Sequence, residues 1–427
     1  MNADVPREIT HFYRLRVELN LEGRNMRLGT LVWDRDRRVS LFEFYPAFLR
    51  APLPVSPFML GTVSGVHEAP PAPFGGLHGL FNDSLPDGWG RKLLDRRFKA
   101  LGYNERLMTP LDRPAFVGRR GMGALSYVPE MSRHSDPDLG VDLDWLADEA
   151  RHVENDEPTA DIAQLEAAQG GSGGVRPKIL VGYEPSSGRM VLDTGGPLPT
   201  GFDHWIVKLR SREDRREIGA EEYAYSLMAK AAGIDMPDTA LLPTGSDVYF
   251  AVRRFDRAGE GLRRHMHTAS GLIHADHRTA GSIEYGDLLR LTLALTRNAA
   301  DIEQMFRRMA FNVITHNRDD HAKNHAFTMS TEGRWSPTPA YDITFSTGPV
   351  GEHNLAVDGE GRTPGLPHLL AVAKDVALPE RKARAIHDEV KAAVGEWPKF
   401  AQQAGLSARV ADEIDLVING RRTRPGG

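Results

Sequence analysis

The stretch HNRDDHAKNHAF places Asp319 five positions before Asn324, and Asp342 follows in the apolar-flanked AYDIT. A carboxylate, an amide and a second carboxylate in this order suit phosphoryl transfer from a nucleotide. One carboxylate orients an attacking hydroxyl, while hard oxygen ligands hold Mg²⁺ and neutralise charge as the γ-phosphoryl group leaves. Protein kinases use an Asp and an Asn at that separation, with a further Asp downstream. The spacing also arises by chance, since Asp and Asn favour turns whatever the chemistry. His321 and His325 stand four apart, as zinc pairs do, but no Glu follows the first as in H-E-x-x-H. His265 and His267 lack neighbouring carboxylates in RRHMHTAS, so a surface or hydrogen-bonded core role is expected.

Two more segments bear on phosphate. In GGSGGVRPK, from Gly170 to Lys178, small residues let the backbone approach phosphate oxygens, and Arg176 and Lys178 can add charge. The stretch fits neither the Walker pattern nor G-x-G-x-x-G, and by composition alone a flexible linker is the stronger reading. A strand pattern, KILVGY, follows directly, and the next, HWIVKLR, sets Lys208 between apolar neighbours. A buried ammonium needs an anionic partner, for which Glu222 on the following helical segment is the candidate; an outward-facing Lys208 on an edge strand is the alternative.

These residues need elements to position them. HFYRLRVELN, GTLVWD and RVSLFEFY alternate apolar and polar side chains between the turn-prone LEGRN and DRDRR, which predicts a β-rich opening over residues 11–48. The Pro- and Gly-dense region from APLPVSPFML to EAPPAPFGGLHG precludes long regular structure, and a helix with Asp87 as its cap follows. Acidic residues crowd between Ser135 and Glu166 around two helical patterns, the first capped by Asp142 or Asp144, which reads as a solvated connector. RPKILVGYE, GRMVLDT, FDHWIVKLR and DVYFAVRRFD are strand-like with the helix AEEYAYSLMAKAAG inserted, an α+β lobe. Beyond Arg257 the periodicity is almost wholly helical, and the junction of the two lobes is where a ligand cleft is expected.

Composition limits the alternatives. The chain has 427 residues, 41% hydrophobic and 26% charged, the balance of a globular protein of two or three domains. Cys 0 removes disulfides, thiolate nucleophiles and sulfur-based zinc sites. No run approaches the roughly 18 apolar residues of a membrane span and the N-terminus lacks a secretory pattern, so a cytoplasmic location without membrane contact is expected. The formal net charge of -5 predicts DNA contact only through a partner.

In order, FNDSLPDGWGR, VGRRGMGAL, GGSGGVRPK, HWIVKL, EEYAYSLMAKAAGI, VRRFDR, NRDDHAKNHAF and YDIT resemble the HipA family of toxin kinases over nearly the whole chain. The resemblance implies an α+β, two-lobed protein-kinase-like fold, with a β-rich N-terminal lobe and a mostly helical C-terminal lobe. The parts expected are an N-terminal β-rich subdomain over 1–130, a nucleotide-binding lobe over 131–253 and a helical catalytic lobe over 254–427. It also implies ATP with Mg²⁺, a serine/threonine protein substrate, by analogy an aminoacyl-tRNA synthetase, and neutralisation by a HipB-like helix-turn-helix antitoxin.

Carried over by residue, Asp319 is the catalytic carboxylate, Asn324 and Asp342 are the metal ligands, and Lys208, paired with Glu222, meets the nucleotide phosphates. Gly173, Gly174, Val175, Arg176, Pro177 and Lys178 form the phosphate loop. Arg253, Arg254 and Phe255 form the hinge around adenine, although Arg253 replaces the family's frequent Glu. His321, Ala322, Lys323 and Tyr341 lie beside the nucleotide. Ser172 is the loop's only serine and the candidate for autophosphorylation, one position closer to Lys178 than the family's modified serine. Two other readings stand beside the kinase toxin: a non-catalytic co-repressor acting with a DNA-binding antitoxin, and a small-molecule kinase.

Overall fold

The computed structural model describes residues 11–131, 141–169, 174, 176–245 and 247–420. Its described residues form two antiparallel sheets and a largely helical C-terminal part.

The opening strands are β1 (Arg14–Leu21), β2 (Arg24–Asp34), β3 (Val39–Phe44), β4 (Val66–Glu68) and β5 (Leu125–Val128). Alternation in β1 puts Leu15, Val17, Leu19 and Leu21 on one fully buried face. Glu22 and Gly23 turn the chain into β2 with φ of 44° and 84°, the pair of positive values that a tight hairpin with native twist demands. The sheet order is β4-β3-β2-β1-β5, antiparallel throughout.

A second antiparallel sheet comprises β6 (Lys178–Glu184), β7 (Arg189–Leu192), β8 (Asp203–Lys208), β9 (Thr239–Pro243) and β10 (Val248–Arg253), in the order β7-β6-β8-β10-β9. Its register sets Lys178 and Phe250 on either side of Lys208. The helix Ile218–Ala231 connects β8 to β9 and carries Glu221 and Glu222.

The acidic region expected to link the lobes packs inward over residues 141–166. It is part of the core rather than a solvated connector. Helix Leu143–Glu154 buries Leu143, Leu146, Ala147, Ala150 and Val153 in one cluster with Ile179, Val181, Trp205 and Val207 of the second sheet. That stripe has helical spacing, and charged residues such as Asp148 occupy the opposite, exposed side. Asp142 caps this helix, accepting from the Trp145 N–H at 3.0 Å.

The C-terminal lobe contains helices Tyr285–Thr296, Ala299–Ile314, Leu366–Asp375, Glu380–Gly395, Trp397–Gln403 and Ala408–Asn419. Short strands His265–Thr268, Ala326–Met329 and Trp335–Pro337 form a small sheet beneath the cleft, which helical periodicity did not reveal. A single apolar cluster joins Leu15 and Phe42 of the first sheet to Phe81, Tyr225, Phe306 and Trp397. Among the described residues, no helix is long and apolar enough to cross a membrane.

Candidate active site

Strand β8 and the helix Ile218–Ala231 bring Lys208 and Glu222 together. The ammonium lies 2.8 Å from Glu222 Oε2 and 2.7 Å from Asp342 Oδ1. Burial works against the Lys208 charge, but Asp342 and Glu222 outweigh it and hold the ammonium above its usual range. Burial likewise acts to neutralise Asp342, yet Lys208 and Lys178 keep its carboxyl well below the ordinary carboxylate range. Asp342 sits at φ 51°, a left-handed conformation that Asp tolerates better than most side chains. Arg176 supports the same group from just before β6, 3.0 Å from Glu222 Oε1 and 3.0 Å from Asp214 Oδ1.

Opposite stands the segment after helix Ala299–Ile314. Asn324 Nδ2 donates to the Asp319 carbonyl at 2.6 Å, closing this turn on itself. The flanks of Asp319 are tied down. Arg318 donates to the carbonyls of Gly351 at 2.6 Å and Arg362 at 2.8 Å. Asp320 is buried and accepts from Tyr285 Oη at 2.7 Å and the Asn354 N–H at 2.8 Å, with His353 Nδ1 at 2.8 Å. Between them the Asp319 side chain is 59% exposed, with His321 Nε2 at 3.8 Å. Crowding by the cleft walls pushes its carboxyl above the usual range; His321 opposes this, and the negative charges of Asp342 and Asp320 add to it.

The remaining residues divide by placement. Phe255 and Tyr341 rings meet at 5.5 Å, and Tyr341 Oη donates to the Lys323 carbonyl at 2.7 Å. Lys323 Nζ is 2.7 Å from the Asp87 carboxylate, and Ala322 is buried beside it. Arg253 pairs on the surface with Asp203 at 2.9 Å and Asp238 at 3.4 Å. Arg254 is buried against Asp256 at 2.8 Å and Asp193 at 3.4 Å, so its guanidinium braces the end of β10 from within. Pro177 accepts the Leu209 N–H at 2.8 Å, pinning the root of β6 to the end of β8. Gly174 has φ 105°, a conformation that favours glycine, and the Lys178 ammonium packs where a Cβ would stand, 2.4 Å away. Ser172, Gly173 and Val175 lie outside the described residues.

The histidine pairs do other work. His265 Nε2 lies 2.8 Å from the Val55 carbonyl, and His267 Nε2 lies 3.0 Å from Ser56 Oγ, both buried. His325 is buried, and this pushes its pKa down to about 4. Among the described residues, no group of three His, Asp or Glu is arranged to hold a metal. Sequence reasoning missed Asp87, Asp214, Arg318 and Asp320. The doubled Asp in NRDD was the one local signal, since one carboxylate can act only if something else holds the turn.

Comparison with known proteins places this geometry. The protein named "Putative kinase Y4dM" from Sinorhizobium fredii is 25% identical over 360 residues, covering 79% of this chain and 80% of that one. The serine/threonine-protein kinase toxin HipA of Shewanella oneidensis is 26% identical over 190 residues, 40% of this chain and 42% of that one. A solved structure of the Shewanella oneidensis HipA, HipB and operator DNA complex matches the fold with a TM-score of 0.69 at 18% identity, covering 95% of this chain and 96% of that one. The HipA N-terminal domain model matches residues 20–128, and the HipA-like C-terminal domain model residues 170–397. The chain therefore belongs to the HipA family.

Proposed function

We propose that the protein is an ATP-dependent serine/threonine kinase toxin of a HipA/HipB-type pair, acting in the cytoplasm on a protein hydroxyl. An aminoacyl-tRNA synthetase is the first substrate class to test. The observation that carries this reading is the Glu222–Lys208–Asp342 ion-pair chain, at 2.8 Å and 2.7 Å, set beside an exposed Asp319. A strand lysine fixed by a helix glutamate is the arrangement that positions nucleotide phosphates in kinases.

Each residue then has a task. Lys208 and Lys178 present positive charge to the phosphates, and Arg176 keeps Glu222 oriented toward Lys208. Asp319 accepts a hydrogen bond from the substrate hydroxyl, aligning it for attack, and takes its proton as the new bond forms. Phe255 and Tyr341 offer an aromatic wall where the two lobes meet.

The donor set suits magnesium. Asn324 commits its amide nitrogen to Asp319, which turns its oxygen the other way, and Asp342 uses Oδ1 for Lys208, with no partner found for Oδ2 among the described residues. One carboxylate and one amide oxygen, completed by water and phosphate oxygens, is a magnesium-type shell. Bound there, Mg²⁺ would neutralise charge on the phosphates.

A HipB-like helix-turn-helix protein is the expected antitoxin and the route to DNA, in keeping with a net charge of -5. The test is incubation of purified protein with radiolabelled ATP and Mg²⁺ in a cell lysate, with mass spectrometry of labelled proteins and of Ser172. Transfer that Asp319→Asn lowers by roughly 10²- to 10⁴-fold supports the reading. Normal nucleotide binding with no labelled protein, itself included, overturns it.

A further inference from the structure

Asp87 occupies the N-cap position of helix Gly88–Ala100, where an Asp side chain normally accepts from the first helical turn, yet it makes no capping hydrogen bond. Both of its oxygens instead lie 2.7 Å from Lys323 Nζ. Burial works against the Asp87 charge, but Lys323 chiefly, helped by the nearby Gly174 backbone, holds its pKa below the usual range. Asp87 thus reaches from the N-terminal subdomain to both walls of the cleft, one carrying Gly174 and Lys178, the other Lys323 and Asn324.

The surroundings reinforce that geometry. The Lys323 and Asp87 side chains are only 10% and 25% exposed, so solvent screens the pair weakly. The Lys323 carbonyl is held by Tyr341. On the other wall, the Asp87 helix meets the end of helix Ile162–Gln169 through the Gln169 side chain, whose Nε2 a Cβ at Gly90 would approach to 2.3 Å and displace. Buried Arg120, also of the N-terminal subdomain, pairs with Glu166 of the same helix.

We propose that Asp87 is a positioning residue for phosphoryl transfer, holding the Lys323 ammonium in register at the nucleotide cleft. The role rests on the kinase reading above. Asp87 itself need not touch nucleotide; it fixes the direction of a cation that does. Losing it frees Lys323 to swing, so bound nucleotide is held less well while Asp319 is untouched.

The test compares wild type, Asp87→Asn and Asp87→Ala by ATP KM, kcat, melting temperature and calorimetric affinity for a non-hydrolysable ATP analogue with Mg²⁺. Asp87→Asn keeps the size of the side chain but offers no charge to Lys323. The expected result is a KM and analogue Kd raised about tenfold in both variants, the size of one charge-assisted hydrogen bond, with kcat within about threefold of wild type and an unchanged melting temperature. Unchanged KM and Kd in folded Asp87→Asn overturn the proposal. So does a fall in apparent kcat and melting temperature together without a change in Kd, which marks a purely structural residue. If wild type binds the analogue but phosphorylates nothing, the kinase reading fails, and the ratio of analogue affinities still decides whether Asp87 positions Lys323.

Discussion

Lys178 and Lys208 face each other directly across β6 and β8. Like charges in that position repel, and both ammoniums look to Asp342. For Lys178, burial and the neighbouring Lys208 depress the pKa, while Asp342 and Glu222 resist the fall. The two clustered cations are balanced by Asp342 and, at Lys208, also by Glu222.

Asp342→Asn should therefore cost stability as well as activity. Removing one member of a buried ion pair costs roughly 3–5 kcal/mol, and with the Asp342 side chain 30% exposed the expected loss is about 2 kcal/mol. Urea denaturation of the nucleotide-free protein measures it. An unchanged midpoint would show that the lysines do not depend on Asp342.

Glu221 is a pH-dependent liability. Burial pushes its pKa up to about 7; Arg215 opposes the rise and Glu222 adds to it. A carboxyl with a folded pKa above its unfolded value favours the fold while protonated, so its contribution is complete below the unfolded pKa of 4.5 and lost as pH rises through about 7. Glu221→Gln should match wild type at low pH and exceed it by up to about 3 kcal/mol at high pH. Denaturation at both extremes checks this, and equal stability of the two proteins at high pH would refute it.

Leu146→Ala tests the position of helix Leu143–Glu154. Leu146 is 1% exposed against the second sheet, so truncation should cost about 2–5 kcal/mol. A loss under about 0.5 kcal/mol, typical of a surface site, would return the helix to solvent.

Asp320→Ala should loosen the acceptor side of the cleft. It removes the acceptor of the Tyr285 O–H, whose oxygen keeps the Asn312 amide, and the shorter of the two bonds of the Asn354 N–H, which also reaches the Arg318 carbonyl at 3.3 Å, at about 1–3 kcal/mol in all. Limited trypsin digestion should cut sooner at the exposed Arg362, whose carbonyl is held by Arg318. Identical cleavage rates would show that Asp320 does not secure this segment.

What the sequence made legible was local. Asp319 and Asn324 lie within one turn, and Lys208 and Glu222 sit in adjacent elements with unmistakable strand and helix periods. The acidic region misled because counted charges conceal an apolar stripe: Leu143, Leu146, Ala147 and Ala150 recur at helical spacing among Asp144, Asp148 and Glu149. Asp87 was legible as a helix cap, which depends on neighbours alone. Its partner Lys323 is 236 residues away, and no spacing rule reaches that far. Arg254 read as a ligand group because it lies in the hinge, but whether an arginine turns to the cleft or to Asp256 depends on packing.

The apolar cluster shared by Leu15, Phe42, Phe81, Tyr225 and Phe306 ignores the boundary between the two matched domains. Where they touch, a Cβ on Gly79 would lie 2.1 Å from the Gly271 carbonyl oxygen. Neither half can be excised cleanly: a fragment beginning at the second sheet would carry a raw greasy wound where the first sheet had been, and would clump rather than report on the enzyme.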